Sequence, residues 1–87
     1  MARYELRFRS SVSKDLRSVP RADVTRILKR IQALRDEPRP QGSEKLGGAE
    51  LYRVRQGAYR IVYEIHDASI VVEVFRIGQR GEVCRGI

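Results

Sequence analysis

Residues 51–65 read LYRVRQGAYRIVYEI, two runs of alternating apolar and polar residues that flank a short loop around Gly57. Strict alternation is typical of a β-strand that buries one face. Two such runs joined by a short glycine-containing loop predict a β-hairpin. We therefore expect one strand over Leu51–Arg55 and a second over Tyr59–Ile65.

The register of this hairpin decides which side chains share a face. If Gly57-Ala58 is a two-residue loop, Arg55 lies directly opposite Arg60. The alternation then places six apolar residues on one face and three arginines on the other: Tyr52, Val54, Tyr59, Ile61, Tyr63 and Ile65 against Arg53, Arg55 and Arg60. Like charges directly opposite each other destabilise a strand pair. We interpret the arginine face as a binding surface for a polyanion.

The segments before this hairpin supply the layer that covers its apolar face. Residues 4–8 alternate in the manner of a first strand, and Ser10 or Ser11 is suited to cap a short helix that runs to Val19. An apolar stripe at helical spacing over residues 24–34 predicts a second, longer helix. The two helices should pack as a hairpin against the sheet.

The segments on either side of the hairpin complete the predicted topology. Residues 37–50 contain prolines and glycines and predict a long loop, whereas residues 70–77 predict a last strand after a turn at residues 66–69. The predicted fold class is α+β, a small antiparallel β-sheet packed against an N-terminal helical hairpin in the order β-α-α-β-β-β. At 87 residues the chain is one small domain, residues 1–87.

The composition indicates an anionic partner and a reducing environment. Eighteen Lys and Arg residues, of which 15 are arginine, stand against 11 acidic residues and give a formal charge of +7. The planar guanidinium suits phosphate recognition, so the excess of arginine favours a nucleic acid, an acidic protein or both as partner over a generic solvated basic surface. One cysteine, Cys84, cannot form an intramolecular disulfide. The sequence has no signal-peptide core and no apolar run long enough to span a membrane, so we expect a cytoplasmic protein.

The arginines are the strongest candidates for chemistry. One histidine and one cysteine are too few for a zinc site of the usual kind, and Glu64 and Glu73 fit charge partners better than general bases. His66 fits a solvated turn residue, and Cys84 an incidental thiol. Guanidinium groups can bind the RNA backbone and stabilise a pentacovalent phosphorane. Because RNA carries its own nucleophile in the 2′-hydroxyl, such a site needs no metal or other cofactor.

Nearly the whole chain resembles the RelE/ParE superfamily, the toxins of bacterial type II toxin–antitoxin systems. The resemblance rests on KLGG at residues 45–48, YRIVYEI at 59–65, and VFRIGQR at 74–80 followed by Glu82-Val83. It implies the fold predicted above. For RelE-like members it also implies a ribosome-dependent endoribonuclease that cuts mRNA in the aminoacyl site by 2′-hydroxyl attack and so inhibits translation.

The resemblance implies roles for individual residues. Arg60 would stabilise the phosphate in the transition state, Arg80 would assist the leaving oxygen, and Arg55 would stand at the position of the candidate base. Further RNA-binding positions are Arg53, Lys45, Arg76, Arg85 and Cys84. The chain departs from the family pattern where Arg55 replaces a frequent lysine, because arginine is a poor proton acceptor. It also departs where Cys84 replaces an aromatic residue that could stack on a base.

The resemblance leaves two alternatives open. A ParE-like toxin would poison DNA gyrase through protein contact and cleave nothing, and a decayed module would only bind antitoxin or RNA. In either toxin branch the expected partner is a small acidic antitoxin whose C-terminal segment folds across the toxin. The nuclease would also bind the ribosome and mRNA, and operator DNA would be contacted only through the antitoxin.

Overall fold

The structure is a computed structural model that describes residues 3–47 and 50–79. Over these residues five strands form one sheet in the order β1-β5-β4-β3-β2, with two helices between the first and second strands. The predicted α+β fold with its helical hairpin is confirmed. The elements are β1 (Glu5–Phe8), α1 (Ser10–Arg17), α2 (Arg21–Ala33), β2 (Glu44–Leu46), β3 (Leu51–Gln56), β4 (Tyr59–His66) and β5 (Val71–Gln79).

The predicted hairpin register is confirmed residue by residue. In the antiparallel β3–β4 pair, Tyr52 lies opposite Tyr63 and Arg55 opposite Arg60. Gly57 begins the two-residue loop with φ of 61°, a left-handed conformation that glycine adopts without steric cost. The rings of Tyr52 and Tyr63 stack with centroids 6.0 Å apart. The alternation of residues 51–65 therefore specifies both the hairpin and its faces.

The core lies between the helices and one face of the sheet. All six apolar residues predicted for that face are buried, with Val54, Ile61 and Tyr63 at 0% exposure. The helices and the segments after them contribute a second set of buried residues: Val12, Val19, Ile27, Ile31 and Leu34. The Tyr63 hydroxyl donates a 2.7 Å hydrogen bond to the Pro38 carbonyl, and burial raises the pKa of this phenol to about 12. A buried polar group thus keeps a partner, as burial requires.

The segment predicted as a loop over residues 37–50 contains a short strand. Residues Glu44–Leu46 form β2, which pairs with β3 and brings Glu44 opposite Arg53. The observed order is therefore β-α-α-β-β-β-β. A three-residue strand with two charged residues shows too little alternation to be recognised by its apolar pattern. Gly47 and Gly48, which follow β2, could have indicated it, because a short glycine-containing loop before a strand is typical of a β-hairpin.

Two further local predictions are corrected by the structure. β1 is parallel to β5, with Leu6 beside Val72, so the sheet is antiparallel everywhere except at this edge. Neither predicted serine caps α1, because the helix begins at Ser10 after Arg9 and no side chain bonds to its first turn. The Ser11 hydroxyl instead donates a 2.7 Å hydrogen bond to the carbonyl of Phe75 in β5, which ties α1 to the sheet.

Arg39 connects the long α2–β2 segment to the turn between β4 and β5. Its guanidinium donates to Asp67 Oδ2 at 2.9 Å and to the Tyr52 hydroxyl at 3.0 Å. Tyr4 adds a 2.7 Å bond from its hydroxyl to the same carboxylate. The bonds from Arg39 and then Tyr4 lower the pKa of Asp67. Among the described residues, neither helix has the length and apolar content needed to cross a membrane.

Replacing Asp67 with asparagine should lower the stability of the fold in a pH-dependent way. A carboxyl whose pKa is lower in the folded state stabilises the fold above its unfolded pKa of about 3.9, and that contribution is lost as the pH falls through the folded value. The melting temperature of Asp67→Asn should therefore be below that of the wild type at neutral pH, and the difference should close in acid. Thermal melts across this pH range measure it.

The matched control is Asp23→Asn, since Asp23 forms an exposed ion pair with Arg26 on α2. Surface pairs of this type contribute little, so this variant should melt close to the wild type at every pH. A deficit in Asp67→Asn that stayed constant from neutral to acid pH would contradict the assigned origin of its stability.

Candidate functional site

Three arginines converge on the sheet face that lies away from the helices. Arg53 and Arg55 lie on β3 and Arg60 on β4, and the register places all three on the side opposite the core. Glu44 joins them from β2, because it pairs directly with Arg53. We call these four residues the arginine cluster. Its position follows from the same alternation that buries the tyrosines.

Glu44 is the one residue of this cluster that was not predicted from the sequence. Its Oε1 accepts a 2.7 Å hydrogen bond from Arg53 Nη2, and the Arg53 side chain is only 14% exposed. The pKa of Glu44 is lowered, first by this hydrogen bond and then by the charge of Arg53, with smaller contributions from Arg55 and Arg60. Glu44 is thus an ionised carboxylate within electrostatic reach of all three guanidinium groups.

Arg55 and Arg60 form the open part of the cluster. They are cross-strand neighbours, Arg55 is exposed and Arg60 is half-buried. Within residues 3–47 and 50–79, neither makes an ion pair with a carboxylate. Two cations held side by side without a direct counterion favour binding of an anion that can accept from both. A phosphodiester has the charge and the paired oxygens for this arrangement.

The other described RNA-binding candidates differ in position: Arg76 pairs with Val62 on the face of the arginine cluster, whereas Lys45 lies elsewhere. Lys45 pairs with Tyr52, so it belongs to the opposite face of the sheet, where its Nζ lies 3.5 Å from Glu50. The Nε atom of Arg76 lies 3.4 Å from Asp15 Oδ2, which directs this guanidinium toward α1. Arg80, Cys84 and Arg85 lie outside the described residues.

Glu64, His66 and Glu73 occupy the same face as the arginine cluster, toward the other end of β4. His66 was predicted to lie in a turn, but it is the last residue of β4 and its Nε2 lies 3.0 Å from Glu64 and 3.4 Å from Glu73. Glu73 also pairs with Arg9 at 3.3 Å, which fits the expected role as a charge partner. This face of the sheet therefore carries separate basic and acidic regions.

A groove of about 560 Å³ lies on the helical side of the molecule. It is formed by the end of β1 and the facing sides of α1 and α2, and its floor is mainly apolar. Phe8 and Leu28 line it and remain 47% and 39% exposed, although the apolar pattern predicted both to be core residues. Arg9 and Arg17 are among its lining residues, so the groove combines apolar surface with positive charge.

Comparison with known proteins assigns this sheet, its helical hairpin and its basic face to a class of small toxins. A family model described as the ParE toxin of type II toxin–antitoxin systems matches residues 6–83. The chain belongs to this family, within the RelE/ParE superfamily of type II toxin–antitoxin toxins. A curated RelE-like toxin protein of Escherichia coli is 24% identical over 80 residues, which cover 90% of this chain and 84% of the relative.

Solved structures show the same fold. The archaeal RelE–RelB complex of Pyrococcus horikoshii contains a chain with 32% identity and a TM-score of 0.81, and the match covers 91% of this chain and 97% of that one. A RelBE-type toxin–antitoxin complex of Mycobacterium tuberculosis matches with 26% identity and a TM-score of 0.78, covering 90% and 99%. Both are similar to this chain over nearly its whole length.

Replacing Arg55 with glutamine should stabilise the free protein and weaken its response to anions. Removing one of two opposed cations relieves a repulsion of about 0.2–1 kcal/mol, so the melting temperature should rise at low salt. Inorganic tripolyphosphate should raise the melting temperature of the wild type more than that of Arg55→Gln. Lys29→Gln removes the same charge from the exposed side of α2 and serves as the control. An equal response of all three proteins to tripolyphosphate would argue against an anion site here.

Proposed function

We propose that this toxin is a metal-independent endoribonuclease that cleaves mRNA in the aminoacyl site of the ribosome and so inhibits translation. The observation that carries the proposal is the pair Arg55 and Arg60, two cations held in register on an open sheet face without a carboxylate paired to them among the described residues. Such a pair destabilises the free toxin through charge repulsion. When phosphate is bound, the same two cations stabilise its negative charge.

The reaction is an in-line transfer within the RNA. The 2′-hydroxyl loses its proton and attacks the adjacent phosphorus, the bond to the 5′-oxygen breaks, and that oxygen takes up a proton. The products are a 2′,3′-cyclic phosphate and a free 5′-hydroxyl. Arg60 would stabilise the extra negative charge of the phosphorane, and Arg53 would hold the backbone. By its resemblance, Arg80 would assist the leaving oxygen.

Glu44 is a better proton acceptor than Arg55 in this site. Arginine stays protonated at neutral pH, so Arg55 cannot take the proton of the 2′-hydroxyl. Glu44 is ionised and lies among the same guanidinium groups. Its lowered pKa makes it a weak base, but it keeps the carboxylate in its accepting form at any pH near neutral. We assign the base to Glu44 and electrostatic stabilisation to Arg55.

The groove between α1 and α2 supports an antitoxin as the partner. Its mainly apolar lining and its two arginines, Arg9 and Arg17, complement an amphipathic segment with acidic residues. Several solved relatives are toxins in complex with an antitoxin. An acidic antitoxin would cover this apolar surface and offset the charge of +7. Contact with operator DNA would come through the antitoxin, and the toxin would act in the cytoplasm.

The family model favours a second candidate, because it is described as a ParE toxin. A ParE-like toxin would poison DNA gyrase by protein contact. Such an activity does not require opposed arginines on one face, which is why the nuclease is the leading proposal. The two activities leave different products in the cell, broken messages or broken DNA.

Induced expression of the wild type should arrest growth and produce in-frame cuts in cellular mRNAs, and Arg60→Ala/Arg80→Ala should abolish both. Growth curves and mapping of mRNA 5′ ends measure these outcomes. Arg26→Ala/Lys29→Ala removes two cations from α2 and should remain as toxic as the wild type. Arrest with intact messages and broken DNA would assign the toxin to gyrase poisoning, and no arrest would favour a decayed module.

Glu44→Gln should lower the single-turnover rate of cleavage on programmed ribosomes by a factor on the order of 10²–10⁴, the usual contribution of a general base. Glu37→Gln, on the connection after α2, should leave the rate unchanged. The wild-type rate should stay flat down to about pH 5, because the carboxylate remains ionised there. Arg55→Lys should keep this profile. A rate gain with a new pH dependence in Arg55→Lys would instead assign the base to position 55.

A further inference from the structure

The acidic region at the far end of β4 has the composition of a metal site. Glu64 and His66 alternate along β4 on one face, and Glu73 stands directly across from Glu64 on β5. Each offers one ligand atom, and these atoms lie within 4.8 Å of one another. The set combines an imidazole nitrogen with two carboxylate oxygens. The sequence did not suggest it, because the three residues meet only through the β4–β5 register.

The register makes this arrangement unfavourable without a cation. Glu64 and Glu73 are like charges directly opposite each other, and both side chains are only 27% exposed. Such a pair destabilises a sheet, and partial burial reduces the screening by water. Arg9 offsets part of this charge from one side, and His66 Nε2 lies within hydrogen-bond distance of both carboxylates. A divalent cation between the carboxylates would offset all of it.

The distances match those between ligands of one small ion. Ligands at about 2.0–2.1 Å from a tetrahedral zinc ion are separated from each other by about 3.4 Å. His66 Nε2 lies 3.0 Å from Glu64 Oε1 and 3.4 Å from Glu73 Oε1. Small side-chain rotations would therefore suffice to direct the three atoms at one centre. His66 is 40% exposed, which leaves room for water as a fourth ligand.

Arg9 holds one of the carboxylates in position. Its Nε lies 3.3 Å from Glu73 Oε2, the oxygen that does not face His66. The guanidinium also stacks on the ring of Phe75, with 4.0 Å between Cζ and the ring centroid. Outer contacts of this kind orient metal ligands in proteins. Glu73 Oε1 is thus held toward the other two donors.

We infer that Glu64, His66 and Glu73 form a binding site for a divalent transition-metal ion of the Zn²⁺ type. Imidazole suits zinc and its neighbours in the first transition row, whereas Mg²⁺ and Ca²⁺ prefer sites made of oxygen alone. The ion would neutralise the acidic end of the sheet face and take no part in RNA cleavage. The inference stands apart from the proposed nuclease, since it requires only the folded toxin.

The test is a titration of untagged protein with Zn²⁺. His66 is the one histidine of the chain, so a single set of imidazole signals in the NMR spectrum reports on the site. These signals should shift and saturate at one ion per chain, and the melting temperature should rise with zinc concentration. An excess of Mg²⁺ should not prevent the shift. The toxin is prepared by refolding away from its antitoxin, with chelator removed by dialysis.

Three variants make the outcome decisive. Glu64→Gln/Glu73→Gln should lose the zinc response yet be at least as stable as the metal-free wild type, because it lacks the opposed charges. Asp23→Asn/Glu37→Gln removes two carboxylates from elsewhere and should bind zinc normally. The inference is overturned if millimolar Zn²⁺ leaves the imidazole signals in place, if the Glu64/Glu73 variant still binds, or if binding depends on Cys84 as judged by Cys84→Ser alone.

Discussion

The pairing of β3 with β4 is the interaction on which the rest of the structure depends. β4 lies inside the sheet, between β3 and β5, and several of its residues are fully buried, including Val62 on the face away from the helices. Because side chains alternate along a strand, a slip of one residue would bury the arginines and expose the tyrosines. The core and the arginine cluster are therefore two results of one register, and neither can be changed without the other.

The structure could be predicted from the sequence where the apolar pattern was strong and several residues supported the same register. Apart from Leu51 and Val62, which are apolar residues on the arginine face, residues 51–65 alternate around a glycine loop, so both the register and the arginine face could be predicted. β2 has three residues, two of them charged, and this is why Glu44 was missed although it completes the cluster. The parallel direction of β1 could not be predicted, because alternation reports which face is buried and not which way a strand runs. The meeting of Glu64 with Glu73 depends on a register interrupted by an irregularity at residues 62–63, which no local pattern reveals.

The open sheet face is basic at one end of β4 and acidic at the other. Arg60 and Glu64 lie on the same side of β4, four residues and hence about 13 Å apart. An extended anion that contacts the arginines would meet repulsion at the other end as long as the carboxylates stay charged. The face thus favours one placement of a polyanion over a placement shifted along β4. Electrostatic complementarity of this kind contributes more to orientation than to affinity.

The parallel contact between β1 and β5 has a consequence for how the chain is made. Glu5 pairs with Val71, 66 positions later. β1 is therefore the first strand to be synthesised, but it cannot pair until β5 has been synthesised. Until then the apolar residues of α1 and α2 have only part of the sheet to cover them. Contacts of such long separation form late and slowly, and exposed apolar surface in the interval invites association with other chains. A nascent toxin is therefore open to capture before its edge strand has closed the fold.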